Sequence, residues 1–137
     1  MYRPKYFTLP ELCQSSEAIE LGTQNVPNFH QVTLLLEFCE YVLDPIRELA
    51  GAPIIVNSGY RNADVNKAVG GVIGSYHRCV NGYAAADITR GNKYENKKLF
   101  KAIAESDIPY QEMILERGGA WIHIAYWNKG ADRETIG

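Results

Sequence analysis

The sequence has no apolar run near the roughly 18 residues needed to span a bilayer, no run of lysine or arginine, and no closely spaced cysteine pair. The first absence excludes a membrane-spanning helix. The second, with a formal net charge of −2, excludes the basic footprint that nucleic acid or an anionic membrane requires. Cys13, Cys39 and Cys79 are odd in number and widely separated, so reduced thiols are expected rather than a disulfide framework. Residues 1–18 hold no apolar segment of the kind a secretory signal needs, so the chain is expected to be made in the cytoplasm. Histidine is scarce as well. His30, His77 and His123 are the three present, which makes the setting of each informative.

What is present reads as one globular domain over residues 1–137, with a polar, loose tail from about 129 to 137. Hydrophobic residues make up 46% and charged residues 22%, the balance of an ordinary folded protein. Thr8-Leu9-Pro10-Glu11 has the form of a capping box and predicts a short helix. Residues 17–27, with Gly22 and Pro27, show no sustained period and read as loop. Over residues 28–49 the apolar positions Val32, Leu35, Leu36, Cys39, Val42, Leu43, Ile46 and Leu49 predict a helix with one buried face. Pro45 should kink or split it near Leu43, and Gly51 should end it. Residues 54–56 and 84–88 read as strands, with a short helix over 64–69 between them. A helix over 93–106 is capped by Asn92 and Glu95, and strands at 112–116 and 121–126 are joined by the Gly118-Gly119 turn. The sum is a small α+β domain, an antiparallel sheet with helices on one face.

His30 sits among polar neighbours near a helix start and reads as a surface or capping residue. His123 lies in Trp121-Ile122-His123-Ile124-Ala125. Side chains alternate along a strand, so if the isoleucines fill the core, His123 stands on the opposite face. Asp87, between Ala86 and Ile88, repeats that pattern. A carboxylate in an apolar run is costly to bury ionised unless it is paired. His77 follows the glycine-rich stretch at 70–75 that leads into the Asp87 strand. Two histidines and one aspartate suit Zn²⁺, and three protein ligands leave a fourth position open, as catalytic zinc sites do. Glu116 shares strand parity with Glu112 and Ile114. At the turn end of a hairpin it would lie near His123, placed to act as a general base.

Ser75-x-His77, Gly82 and Ala84-Ala85-Ala86-Asp87-Ile88 resemble the S-x-H-x-x-G-x-A-x-D motif of the zinc D-alanyl-D-alanine carboxypeptidases and L-alanyl-D-glutamate endopeptidases. That family shares its fold with the hedgehog signalling domain. Ser58-Gly59-Tyr60-Arg61-Asn62 resembles the family's S-x-Y-R segment, and Trp121-Ile122-His123-Ile124 its terminal W-x-H strand. The segments occur in the family's order and, with the Phe7-Thr8-Leu9 start, cover most of the chain. The His77-to-Asp87 spacing is three residues longer than the motif, and the added loop carries Cys79. Extra loop residues cost only a few tenths of a kcal/mol in closure entropy, so the site can survive them.

The resemblance implies that His77, Asp87 and His123 bind zinc and that Arg61, Ser75 and Trp121 meet the substrate. Some relatives carry the acid/base three residues before the last histidine, where this chain has Ala120; relatives with a longer spacing point instead to Glu116. The resemblance further implies hydrolysis of peptide bonds in the peptidoglycan stem. A compact chain of this kind resembles a phage or prophage lysis enzyme, or a virion-associated one, delivered by a holin-like partner or the virion. Two other readings stand beside it. One is a catalytically silent zinc-bearing module that binds cell-wall peptide or a protein. The other is a structural zinc site closed by Cys79.

Overall fold

The computed structural model describes residues 1–137. Thr8 caps α1 (Leu9–Cys13) by accepting the Glu11 N–H, and the Glu11 carboxylate returns the bond to the Thr8 N–H. Residues 17–27 are not all loop, as their missing period suggested. Ser15 caps α2 (Ser16–Leu21), and Gly22, at φ 67°, ends it in the left-handed conformation. A helix of six residues is too short to show a period, and its caps alone define it.

The long amphipathic segment forms α3 (Phe29–Phe38), a π-helical turn (Cys39–Leu43) and α4 (Asp44–Ala50), ended by Gly51. The break falls where Pro45 predicts it. Pro45 has no N–H to give, and the wider turn before it, in which the Asp44 N–H reaches back to Cys39, absorbs the mismatch. Asp44 then anchors the amino-terminal segment, accepting from the Tyr2 hydroxyl and from the Lys5 and Tyr6 N–H groups.

Five strands follow the order β1-β2-β4-β3-β5: β1 (Ile55–Ser58), β2 (Tyr83–Thr89), β3 (Glu112–Glu116), β4 (Trp121–Trp127) and β5 (Glu134–Ile136). All pairings are antiparallel except β3 with β5. Between β1 and β2 lie α5 (Ala63–Ala68) and a 3₁₀ turn (Tyr76–Arg78); α6 (Lys93–Glu105) connects β2 to β3. One sheet face, carrying Ala84, Ala86, Ile88, Met113, Ile122 and Ile124, packs in a single core with Leu35, Phe38, Ile46, Leu99 and Ile103 of the helices. No helix is long and apolar enough to cross a membrane.

The carboxyl-terminal residues, expected to be loose, instead contribute β5 to the sheet edge. Their polar character misled the reading because those groups have partners. Arg133 donates to the carbonyls of Ile103, Ala104 and Ser106 at the end of α6. Gln111 and Asp132 bond each other twice, and Tyr110 meets Thr135.

Asn96 of α6 is fully buried and ties the β3–β4 turn to the end of β2. It donates to Thr89 and to the carbonyls of Gly119 and Ala120, and it accepts from the Arg90 N–H. Asn96→Ala strands these groups away from water, so it should lower stability by about 2–4 kcal/mol in urea unfolding.

Candidate metal centre

The antiparallel register sets Asp87 of β2 directly opposite His123 of β4. Both lie on the sheet face turned away from the core, because their neighbours Ala86, Ile88, Ile122 and Ile124 are buried on the other. His77 arrives from outside the sheet. Ser75 starts its 3₁₀ turn by accepting the His77 N–H, and Cys79, at φ 54°, ends it. The backbone of His77 also accepts from the Arg61 N–H at 2.8 Å.

The imidazole of His77 is buried, and its Nδ1–H donates to the Gly59 carbonyl at 2.8 Å. That bond fixes the tautomer and leaves Nε2 as the open ligand atom. Nε2 lies 3.3 Å from Asp87 Oδ1, and His123 Nδ1 lies 3.2 Å from the same oxygen. The three ligand atoms all fall within 4.8 Å of one another. Tetrahedral zinc with bonds of about 2.0–2.1 Å needs ligand–ligand edges of roughly 3.3 Å, so this donor set fits the ion in chemistry and spacing.

Gly59 is fixed in this role by its neighbours. A Cβ there would collide with the Leu12 carbonyl, which accepts the Tyr60 N–H. Asn25 supports the same segment from inside, donating to the Cys13 and Tyr60 carbonyls and accepting from the Asn62 N–H. It is a positioning residue for Arg61 that no sequence pattern marked.

Glu112 was also missed. It shares a face with Glu116, and its Oε1 accepts from His123 Nε2 at 2.9 Å. A carboxylate holding the far nitrogen of a ligating histidine is the usual support for a metal site. Strand parity could have found it, since Glu112 and Glu116 flank Ile114, the residue opposite His123. Glu116 lines the same cavity, and its carboxylate engages no other side chain. Arg61, Ser75, Trp121 and Tyr76 also line this cavity of about 610 Å³. The Arg61 Nε is buried with no hydrogen-bond partner. Cys79 cannot close the site. Its side chain is wholly buried in the core with its thiol near the His77 carbonyl, and burial pushes that thiol up to about 12.

Burial lowers the pKa of His77, against the pull of Asp87. Burial also works against charge on His123, but its hydrogen bonds to Asp87 and Glu112 prevail and raise it to about 9. Asp87, despite burial, is held far below the usual carboxylate range by the two imidazoles, and Glu112 is lowered by its bond to His123. In the metal-free protein the raised His123 stabilises the fold fully below its ordinary pKa of 6.5, and this support is lost as pH rises through about 9. His123 must shed that proton to serve as a ligand. Zinc affinity should therefore climb about tenfold per pH unit from 6.5 toward 9. Calorimetry in buffers of different ionisation enthalpy should read close to one proton released per zinc.

A sequence search finds no match among curated proteins. The family model described as Peptidase M15 aligns with residues 5–125, a span that begins ahead of the α1 cap, ends within β4 and takes in His77, His123, Asp87 and Arg61. With a donor set suited to zinc inside that span, the chain belongs to the peptidase M15 family of zinc peptidases.

Proposed function

We propose that this protein is a zinc-dependent peptidase that hydrolyses peptide bonds in the peptidoglycan stem, as an endopeptidase or a D-Ala–D-Ala-type carboxypeptidase. The observation that carries the reading is the convergence of His77, Asp87 and His123 at metal-ligand spacing beside an unengaged Glu116 in an open cavity. Its setting would be that of a lysis or virion-associated enzyme, made in the cytoplasm and brought to the wall by a holin-like partner or by the virion.

His77 Nε2, Asp87 Oδ1 and His123 Nδ1 would hold the ion. Zinc, when bound, supplies Lewis acidity and makes a water nucleophilic near neutral pH. Glu116 faces the same space and accepts the proton of the attacking water, then returns it to the leaving amine nitrogen. Arg61 lies at the cavity wall with its Nε unpartnered, and its N–H groups take the charge that develops on the scissile carbonyl oxygen. Burial lowers the pKa of this guanidinium from its ordinary value, while Asp87 and Glu17 oppose that fall. Trp121 and Tyr76 provide flat apolar walls for the peptide.

The division between the two glutamates is testable. Glu116→Gln should keep zinc and lower kcat on purified peptidoglycan by at least about 100-fold. Glu112→Gln should instead weaken zinc binding by about 10–100-fold, because His123 loses its anionic support. Zinc titration and mass analysis of the digest, with and without a chelator, read both effects, and the new termini name the bond. Digestion indifferent to the chelator would overturn the proposed function.

A further inference from the structure

The cavity at the metal centre does not end at Arg61. Arg61, Asp87 and Trp121 also wall a second cavity of about 640 Å³, which runs on between α2, α5 and the end of β1. Each space is within the range that holds a small ligand. A peptide crossing the metal centre therefore has room on both sides of the scissile bond.

The lining of the second cavity is selective. At the junction Arg61 and Asp87 carry opposite charges, which leaves Glu17 as the only other charged side chain facing the space. The Ser15 and Ser16 hydroxyls donate to Glu17 Oε2 at 3.3 and 3.2 Å and hold its carboxylate in place. Ile19, Val65 and Val69 share the lining with Glu17. Ile19 is 82% exposed and Val69 41% exposed, so the fold itself leaves these apolar surfaces uncovered. An exposed apolar wall in the same cavity as a fixed anion matches a methylene chain tipped by a cation.

We propose that the second cavity is a subsite for a peptide residue whose aliphatic side chain ends in an ammonium group, its methylenes against Ile19 and Val69 and its charge against Glu17. The inference rests on the peptidase reading and goes further by naming the substrate side chain. An α-amino terminus carries the same charge but lacks the methylene arm that the apolar wall accommodates.

The test uses the zinc-loaded protein and synthetic stem peptides that carry lysine, the same peptides with norleucine in its place, and amino-terminally acetylated versions of both. The lysine peptide should show a KM about tenfold lower than norleucine, with kcat within about twofold, whether or not the terminus is acetylated. The gap should close in Glu17→Gln, a change that leaves the Ser15 cap of α2 intact. Glu17→Lys should invert the preference toward a glutamate side chain. Equal KM for lysine and norleucine would overturn the subsite and leave the peptidase reading standing. A preference that vanishes on acetylation and ignores norleucine would overturn it in favour of the terminal amine. If no peptide is cut, the peptidase reading fails, and calorimetric binding of the same peptides still decides the subsite: affinity indifferent to the side-chain ammonium overturns it.

Discussion

The site depends on one ionised carboxylate being kept from bulk water between two imidazoles. Stranded alone in that position, Asp87 would cost several kcal/mol. The register of the two central strands prevents this by setting Asp87 opposite His123. Register is in turn fixed by the other face of the same strands, where Ala84, Ala86, Ile88, Ile122 and Ile124 are fully buried. A slip of one residue would turn those side chains to solvent and both polar groups into the core. Core packing and metal chemistry are thus two faces of one constraint, and neither can shift without the other.

His77 is held by a different logic. It comes from an irregular segment, so nothing periodic positions it. Its place is set by a chain of backbone contacts: Leu12 of α1 accepts from Tyr60, Gly59 accepts from the His77 ring, and Arg61 donates to the His77 carbonyl. Helix α1, far from the site in sequence, therefore helps aim a ligand. The three residues by which the His77-to-Asp87 loop exceeds the family motif fit this arrangement. The loop turns through left-handed residues Cys79, Asn81 and Gly82, and Cys79 drops into the core while His77 keeps its orientation.

The parts legible in the sequence were those with local or periodic causes. The capping box at Thr8, the Asn92 cap, the kink at Pro45, the burial parity of Asp87 and His123, and the Gly118-Gly119 turn each follow from a few adjacent residues. Helix α2 was hidden because six residues hold too little periodicity, although Ser15 and Gly22 mark both its ends. Strand β5 was hidden because its polar flanks look solvated until Arg133 is seen on the carbonyls that end α6. Asn25 and Asn96 were invisible for a related reason. A buried amide that bridges distant backbone segments leaves no pattern along the chain. Glu112 was within reach, since the parity argument that singled out Glu116 applies equally to it.

The difference between those two glutamates follows from charge as well as geometry. Both are diagonal neighbours of His123 across the β3–β4 pair. One lies against the imidazole and shares its proton; the other faces the open cavity unpaired. With His77 neutral and His123 protonated, Asp87 and Glu112 leave the metal-free cluster one negative charge, which Arg61 balances. When a divalent cation takes the place of the His123 proton, the cluster gains one positive charge. Glu116 is the carboxylate that can offset it, and it faces the same cavity. A neutral residue at 116 would leave that charge unbalanced in a partly dehydrated cleft. The place of Glu116 on that cavity, free of the imidazole that engages Glu112, is what separates it from Glu112 as the carboxylate able to accept a proton there.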